Sequence, residues 1–154
     1  MKMQSKEKIY IFNKLIRDKI PELFQEEGSG IDVRELSDKA EFLNLLYKKA
    51  QEELQELFTA KSSVEIIEEC ADLEEVLQTF KQLHRISQDQ VEVARLVKQQ
   101  QRGAYNRQLF LTTVRCKDGS RSDTCAIKNG YPEITENEYQ VLCAHNERVQ
   151  RERE

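Results

Sequence analysis

This chain has no tryptophan, only two prolines and five glycines, and no apolar run long enough to span a bilayer or to act as a signal peptide. A protein outside the membrane is expected, with the cytoplasm as its default location. The four cysteines, Cys70, Cys116, Cys125 and Cys143, form no C-x-x-C pair, and His84 and His145 are isolated, so the ligand spacing of a structural zinc site is missing. Cys116 and Cys125 bracket "KDGSRSDT" and could face one another across a hairpin; a reducing cytosol favours free thiols there. Basic charge is not in excess either. Lys and Arg total 24 against 28 Asp and Glu, a net charge of −4, which leaves no electrostatic footprint for nucleic acid. Hydrophobic residues are scarce at 38%, beside 34% charged, which suits thin helices that complete their core in an oligomer. A length of 154 residues allows one core but not two independent ones.

What the chain does contain is helix punctuation. Pro21 suits the first turn of a short helix, about Ile20 to Glu26, before the Gly-Ser-Gly break. Asp38 with Glu41, Ser62 with Glu65, Ser87 with Gln90 and Thr135 with Glu138 all have capping-box spacing. The first three open amphipathic helices ending near Thr59, near Leu83 and before Gly103; the last opens a helix from about Glu136 to Arg148, whose "RVQRERE" tail is expected to fray. The apolar sets are Phe42, Leu45, Leu46, Ala50, Leu54, Leu57 and Phe58, then Ile66, Ile67, Cys70, Ala71, Leu73, Val76, Leu77 and Phe80, then Val91, Ala94 and Val97. Short connections should pack these three helices as antiparallel neighbours. Beyond Gly103 the pattern changes. "RQLFLTTVRC" reads as a strand, "KDGS" as a turn and "DTCAIKNG" as a returning strand. The expected fold is therefore all-α, an antiparallel helical bundle over 1–111, with a hairpin-like extension and final helix over 112–154 packed on it.

Acidic residues recur inside this apolar pattern. Residues three apart share a helix face, so Glu53 points with Glu56 and Glu69 with Asp72. If the two helices pack antiparallel, both pairs meet across the interface, at the edge of the apolar stripe. Four carboxylates at a half-buried interface repel one another, and a divalent cation removes the conflict. Hard oxygen ligands with room for water favour Mg²⁺, with Mn²⁺ as a substitute. The alternative is an ordinary solvated face: Glu is a strong helix former, and Glu65, Glu68 and Glu75 fit that description. Glu52 fits it too, with Lys48 or Lys49 as partner.

"EELQE" followed by "EECAD" on successive helices resembles the E-x-x-E…E-x-x-D signature of the all-α nucleoside triphosphate pyrophosphatases, which include MazG-like enzymes, phosphoribosyl-ATP pyrophosphohydrolases and dimeric dUTPases. "FNKLIRDKIPELF" is similar to the opening of the phosphoribosyl-ATP-pyrophosphohydrolase-like branch, and "QQQRGAYNRQLFL" to its segment after the third helix. Where members commonly read Gly-Gly-Phe, this chain has Gly103-Ala104-Tyr105. The matches run in order from about Phe12 to Leu111 and leave the last forty or so residues unmatched.

The resemblance implies a MazG-like bundle, dimeric or higher, holding Mg²⁺ through Glu53, Glu56, Glu69 and Asp72, with Glu52 in an outer, water-orienting place. It implies hydrolysis of a nucleoside triphosphate between its α and β phosphates. A carboxylate not fully engaged with metal, Glu53 or Glu56, would take the proton of the attacking water. Candidate phosphate ligands are Lys14 and Arg17, with Lys19 beside them, and Lys98 and Arg102 at the end of the third helix. Each has a plainer reading: an Arg17–Asp18 network for the first group, a cationic helix C-terminus for the second. Asn13 and Asp18 either pin the segment or read a base or sugar, and Tyr105 either stacks on a base or packs in the core. Two rival functions stand beside the hydrolase. One is a non-catalytic nucleotide-binding or oligomerising module of the same fold; the other is phosphoribosyl-ATP hydrolysis.

Overall fold

The computed structural model describes residues 8–151, all of whose regular structure is helical: α1 (Ile20–Glu26), α2 (Lys39–Thr59), α3 (Ser63–Leu83), α4 (Gln88–Arg102), α5 (Arg121–Asn129) and α6 (Glu136–Arg151). The chain divides into two compact units, Met1–Gln101 and Arg102–Glu154. No helix among the described residues is long and apolar enough to cross a membrane.

Side-chain caps start the helices where their spacing predicts. Asp38 accepts from the amides of Ala40 and Glu41, and Ser62 accepts from that of Glu65. Ser87 and Gln90 close a complete reciprocal box at 2.8 and 3.2 Å, as do Thr135 and Glu138 at 2.8 and 3.3 Å. α6 continues to Arg151, so the tail stays helical through residue 151; the remainder of that expected frayed segment lies outside the described residues.

In the first unit α2 and α3 are joined by residues 60–62 and pack along one another. Leu46 of α2 and Val76 of α3 form the buried apolar layer, and Leu45, Ala50, Leu57 and Leu73 are half-buried around it. Glu53 comes seven residues after Leu46, and Glu69 comes seven residues before Val76. In an antiparallel hairpin that spacing places the two acids two helical turns along the same seam. The acids thus occupy the next core layer.

Two parts of the expected bundle differ. Much of the apolar set remains exposed, including Leu54, Phe58, Ile66, Ile67, Leu77 and Phe80, because a pair of helices covers only one stripe on each. α4 does not join as a third antiparallel neighbour: among the described residues of the first unit, α2 and α3 are the pair that packs extensively. α3 ends at a left-handed Arg85 (φ 54°), where the amide of Ile86 donates back to the Lys81 carbonyl at 2.9 Å. The Val91-Ala94-Val97 stripe that follows has small side chains, so docking it would bury little area against the cost of ordering the helix.

The expected hairpin in the second unit is also replaced. Residues 106–117 form no strand, and "DTCAIKNG", expected as the returning strand, lies in and just after α5. Ser120 accepts from the Asp123 amide at 3.2 Å, Asp123 accepts from the Gly119 amide at 2.9 Å, and Gly130 closes the helix in the left-handed region (φ 66°). Local capping thus overrides the β-branched composition before it. Cys116 and Cys125 are free, and the hairpin on which their pairing depended is absent. The irregular segment is tied to α6 by Arg115. Its guanidinium forks onto Glu136 at 2.7 and 2.8 Å and lies 4.6 Å from the centre of the Tyr139 ring. That fork, helped by Gln140, holds the Glu136 carboxyl down at about 2.

Leu46 is 4% exposed and Leu54 is 46% exposed, so truncating each to alanine separates core from surface on one helix. Leu46→Ala should lower unfolding free energy by about 2–5 kcal/mol in urea titrations, and Leu54→Ala by about 1 kcal/mol or less.

Candidate metal and phosphate site

The acid layer is assembled from both helices of the hairpin. One carboxylate oxygen each from Glu53, Glu69 and Asp72 lie within 4.8 Å of one another, and a second such group joins Glu52, Glu53 and Glu56. Glu53 belongs to both and is the most deeply placed charge among the described residues, 2% exposed. A buried carboxylate without a counter-charge is strongly destabilising, and Lys49, one turn earlier on α2, supplies the charge. The same ammonium donates to Glu52 at 2.9 Å. Burial pulls the Lys49 ammonium down, but its bonds to Glu53 and Glu52 outweigh that and hold its pKa above the usual value.

Two further cations come from the segment before α1. Lys14 donates to Glu52 at 3.0 Å, and Arg17 pairs with Asp72. Chiefly through Lys49, and with help from Lys14, the Glu52 carboxyl is held below the usual carboxylate range, against the opposing effect of burial.

Glu69 is treated differently. Its Oε2 is buried and has no hydrogen-bond partner. Burial, then the negative charges of Glu56, Glu53 and Asp72, push its carboxyl above the ordinary value. Glu56 and Glu69 also line an open cleft of about 230 Å³ together with Thr59, Ala60 and Glu65. Of the expected four acids, Glu53, Glu69 and Asp72 converge directly, while Glu56 groups with Glu52 and Glu53 and acts on Glu69 by repulsion.

The remaining candidates divide. Lys14 and Arg17 reach the acids, and Arg17 pairs with Asp72 across the hairpin rather than with its neighbour Asp18. Asn13 and Asp18 make no hydrogen bond or ion pair with the acids. Asn13 instead takes a left-handed conformation (φ 45°), which an asparagine tolerates. Lys98 is not brought to the acids; it lines a separate cleft at the α3–α4 corner with His84, Arg85 and Arg95. Arg102 ends α4 at the boundary between the two units, and Tyr105, beyond it, is exposed rather than in a core. Lys49's contact with Glu53 was not anticipated, although its i,i+4 spacing is a readable signal. No family model, curated protein or solved structure matches this chain.

The donor set suits a hard divalent cation: carboxylate oxygens only, crowded on two adjacent helices, one of them a buried acceptor without a donor. Without a cation, Glu69 is a site of conflict whose sign can be worked out. Its folded pKa is raised, so the folded chain holds that proton more tightly than the unfolded chain. The stabilisation is fully present below the ordinary value of 4.5 and is lost as pH rises through the raised value. Glu69→Gln keeps the shape without the ionisation. In metal-free protein it should melt at a higher temperature than the parent at pH 7.5, and calorimetric scans should show the gap closing as the pH falls toward 4.5 and staying closed below it.

Proposed function

We propose that this protein is a Mg²⁺-dependent nucleoside triphosphate pyrophosphohydrolase of the MazG-like type, releasing a monophosphate and pyrophosphate. The observation that carries this reading is the Glu69 oxygen. It is buried, has no donor, and is faced by Glu53, Glu56 and Asp72 from the same helix pair. An apolar or hydrogen-bonded core would not leave it so. Glu53, Glu56, Glu69 and Asp72 would hold Mg²⁺, with Mn²⁺ as a substitute. The bound ion would polarise a phosphoryl oxygen and lower the pKa of a water.

The other roles fall to side chains of the chain itself. Glu53 or Glu56 accepts the proton of the attacking water. Glu52, held by Lys49 and Lys14, orients the layer outside the metal ligands. Lys14 and Arg17 are the cations nearest the acids that also remain part-exposed, which suits them to the charge that grows on departing pyrophosphate. The exposed faces of α3 (Ile66, Ile67, Leu77, Phe80) and α4 (Val93, Leu96, Val97) support a homo-oligomer, dimer or larger, that covers them. The cytoplasm, where free thiols and nucleoside triphosphates coexist, is the proposed location.

The test is a panel of standard and modified nucleoside triphosphates incubated with the full chain and Mg²⁺, with monophosphate and pyrophosphate as the readouts. Turnover of at least one is expected, with loss on EDTA and a drop of roughly 100-fold or more in Glu69→Gln and Asp72→Asn, since even residues that only orient metal ligands cost up to that much. No hydrolysis anywhere in the panel would remove the enzyme reading. If triphosphate still bound, the site would belong to a nucleotide-binding module.

A further inference from the structure

Two of the three cations on the acid layer arrive from one short stretch, and that stretch lies across both helices. Lys14 reaches Glu52 on α2, 38 positions away, and Arg17 reaches Asp72 on α3, 55 positions away. Little else fastens the stretch. Phe12 meets Phe24 of α1 edge-on at 6.3 Å, Leu15 and Ile16 are half-buried, and the left-handed Asn13 turns the chain just before Lys14. The Lys14 and Arg17 side chains are 42% and 56% exposed, against 21% for Lys49. Part-exposed ion pairs of that kind are individually weak and readily exchanged.

Charge balance gives the exchange a direction. With all groups ionised, Glu52, Glu53, Glu56, Glu69 and Asp72 face Lys14, Arg17 and Lys49, which leaves an excess of negative charge centred on Glu69. A divalent cation among the carboxylates would satisfy that excess, and it would also repel the guanidinium and ammonium lying against Asp72 and Glu52. A triphosphate arrives with several negative charges of its own. If Lys14 and Arg17 stay on carboxylates, the phosphate oxygens gain no partner from them; if they turn to phosphate, two of its charges are paired, while Glu52 keeps Lys49 and Asp72 would rest on the cation.

We infer that residues 12–19 form a counter-ion strap, in which Lys14 and Arg17 neutralise Glu52 and Asp72 until a divalent cation occupies the acid layer, and then change partners to phosphate oxygens. This rests on the metal reading proposed above and adds its regulation: metal opens the strap, and the phosphate chain closes it again. Linkage makes the coupling reciprocal. Whatever the metal does to the strap, removing the strap's charges does in reverse to metal affinity.

Hydrogen exchange on the full wild-type chain tests it, with no metal, with Mg²⁺ alone, and with Mg²⁺ plus pyrophosphate, beside calorimetric titration of Mg²⁺. Amides of residues 12–19 should exchange several-fold faster on Mg²⁺ binding and regain protection when pyrophosphate is added. The Lys14→Gln/Arg17→Gln double variant should bind Mg²⁺ several-fold more tightly and pyrophosphate in the presence of Mg²⁺ about ten-fold more weakly, with Arg17→Lys restoring part of the loss. A merely structural pair would move Mg²⁺ affinity the other way. If Mg²⁺ binds while exchange over 12–19 stays the same, the strap is wrong and the metal site stands. If calorimetry finds no Mg²⁺ binding at all, the metal reading fails and the strap with it. Should the double variant not fold, the wild-type exchange result decides alone.

Discussion

The structure turns on a layer of carboxylates placed where a helical hairpin would ordinarily bury leucine and valine. Leu46 and Val76 set the seam, and two turns along it the same positions are held by Glu53 and Glu69. Ionised groups at such spacing repel strongly in a low-dielectric setting, and two helices cannot close on them unless the charge is answered. Lys49 answers it for Glu53 from within α2, and Lys14 and Arg17 answer it for Glu52 and Asp72 from outside the hairpin. Glu69 receives no such partner, and burial followed by its acidic neighbours pushes its carboxyl upward, while Lys49 draws that of Glu52 down. Both shifts record one imbalance.

That layer has a consequence for the rest of the fold. A core position given to an acid contributes no apolar burial, and Leu46 and Val76 are the buried apolar residues that the described chain has. Stability must then come from elsewhere. Helix caps supply some locally, since Asp38, Ser62, Ser87, Ser120 and Thr135 each accept at a helix start. Uncovered surface on α3 and α4 offers more, but only to a partner that covers it, which is why the proposed enzyme is also a proposed oligomer. A site that weakens its own chain and a surface that seeks cover are two sides of one composition, low in apolar residues and high in charge.

The helix starts were readable because capping chemistry is local: an oxygen three residues ahead of an amide needs no tertiary context. The convergence of Glu53, Glu69 and Asp72 was readable for a related reason, since periodicity and one short loop suffice to bring neighbouring helices together. Other features fell where local rules compete or stop. At "DTCAIKNG" the threonine and isoleucine suggest a strand, yet Ser120 caps the Asp123 amide, Asp123 accepts from the Gly119 amide, and this local capping prevails. The Arg17 partner could not be read locally, because Asp18 is adjacent while Asp72 is 55 positions distant. α4 illustrates a further limit. Its stripe has helical spacing, but spacing says nothing about whether Val91, Ala94 and Val97 present enough area to hold a third helix against the pair.

The three counter-cations differ in a way that bears on what each can do. Lys49 sits one turn from Glu53 on the same helix, is mostly covered, and is needed as long as Glu53 is ionised and buried. Removing it would strand a charge inside the seam, so it cannot serve as a movable part. Lys14 and Arg17 reach the acids from a segment outside the hairpin on side chains open to water, where salt screens such pairs and each is individually weak. Exposure therefore divides the cations into one that belongs to the fold and two that suit the proposed exchange with a ligand. The same division assigns the acids. Glu53 is fixed by Lys49 and Asp72 is lightly held by Arg17, while Glu69, with a buried oxygen and no donor, is the group whose electrostatics improve most when a positive charge arrives.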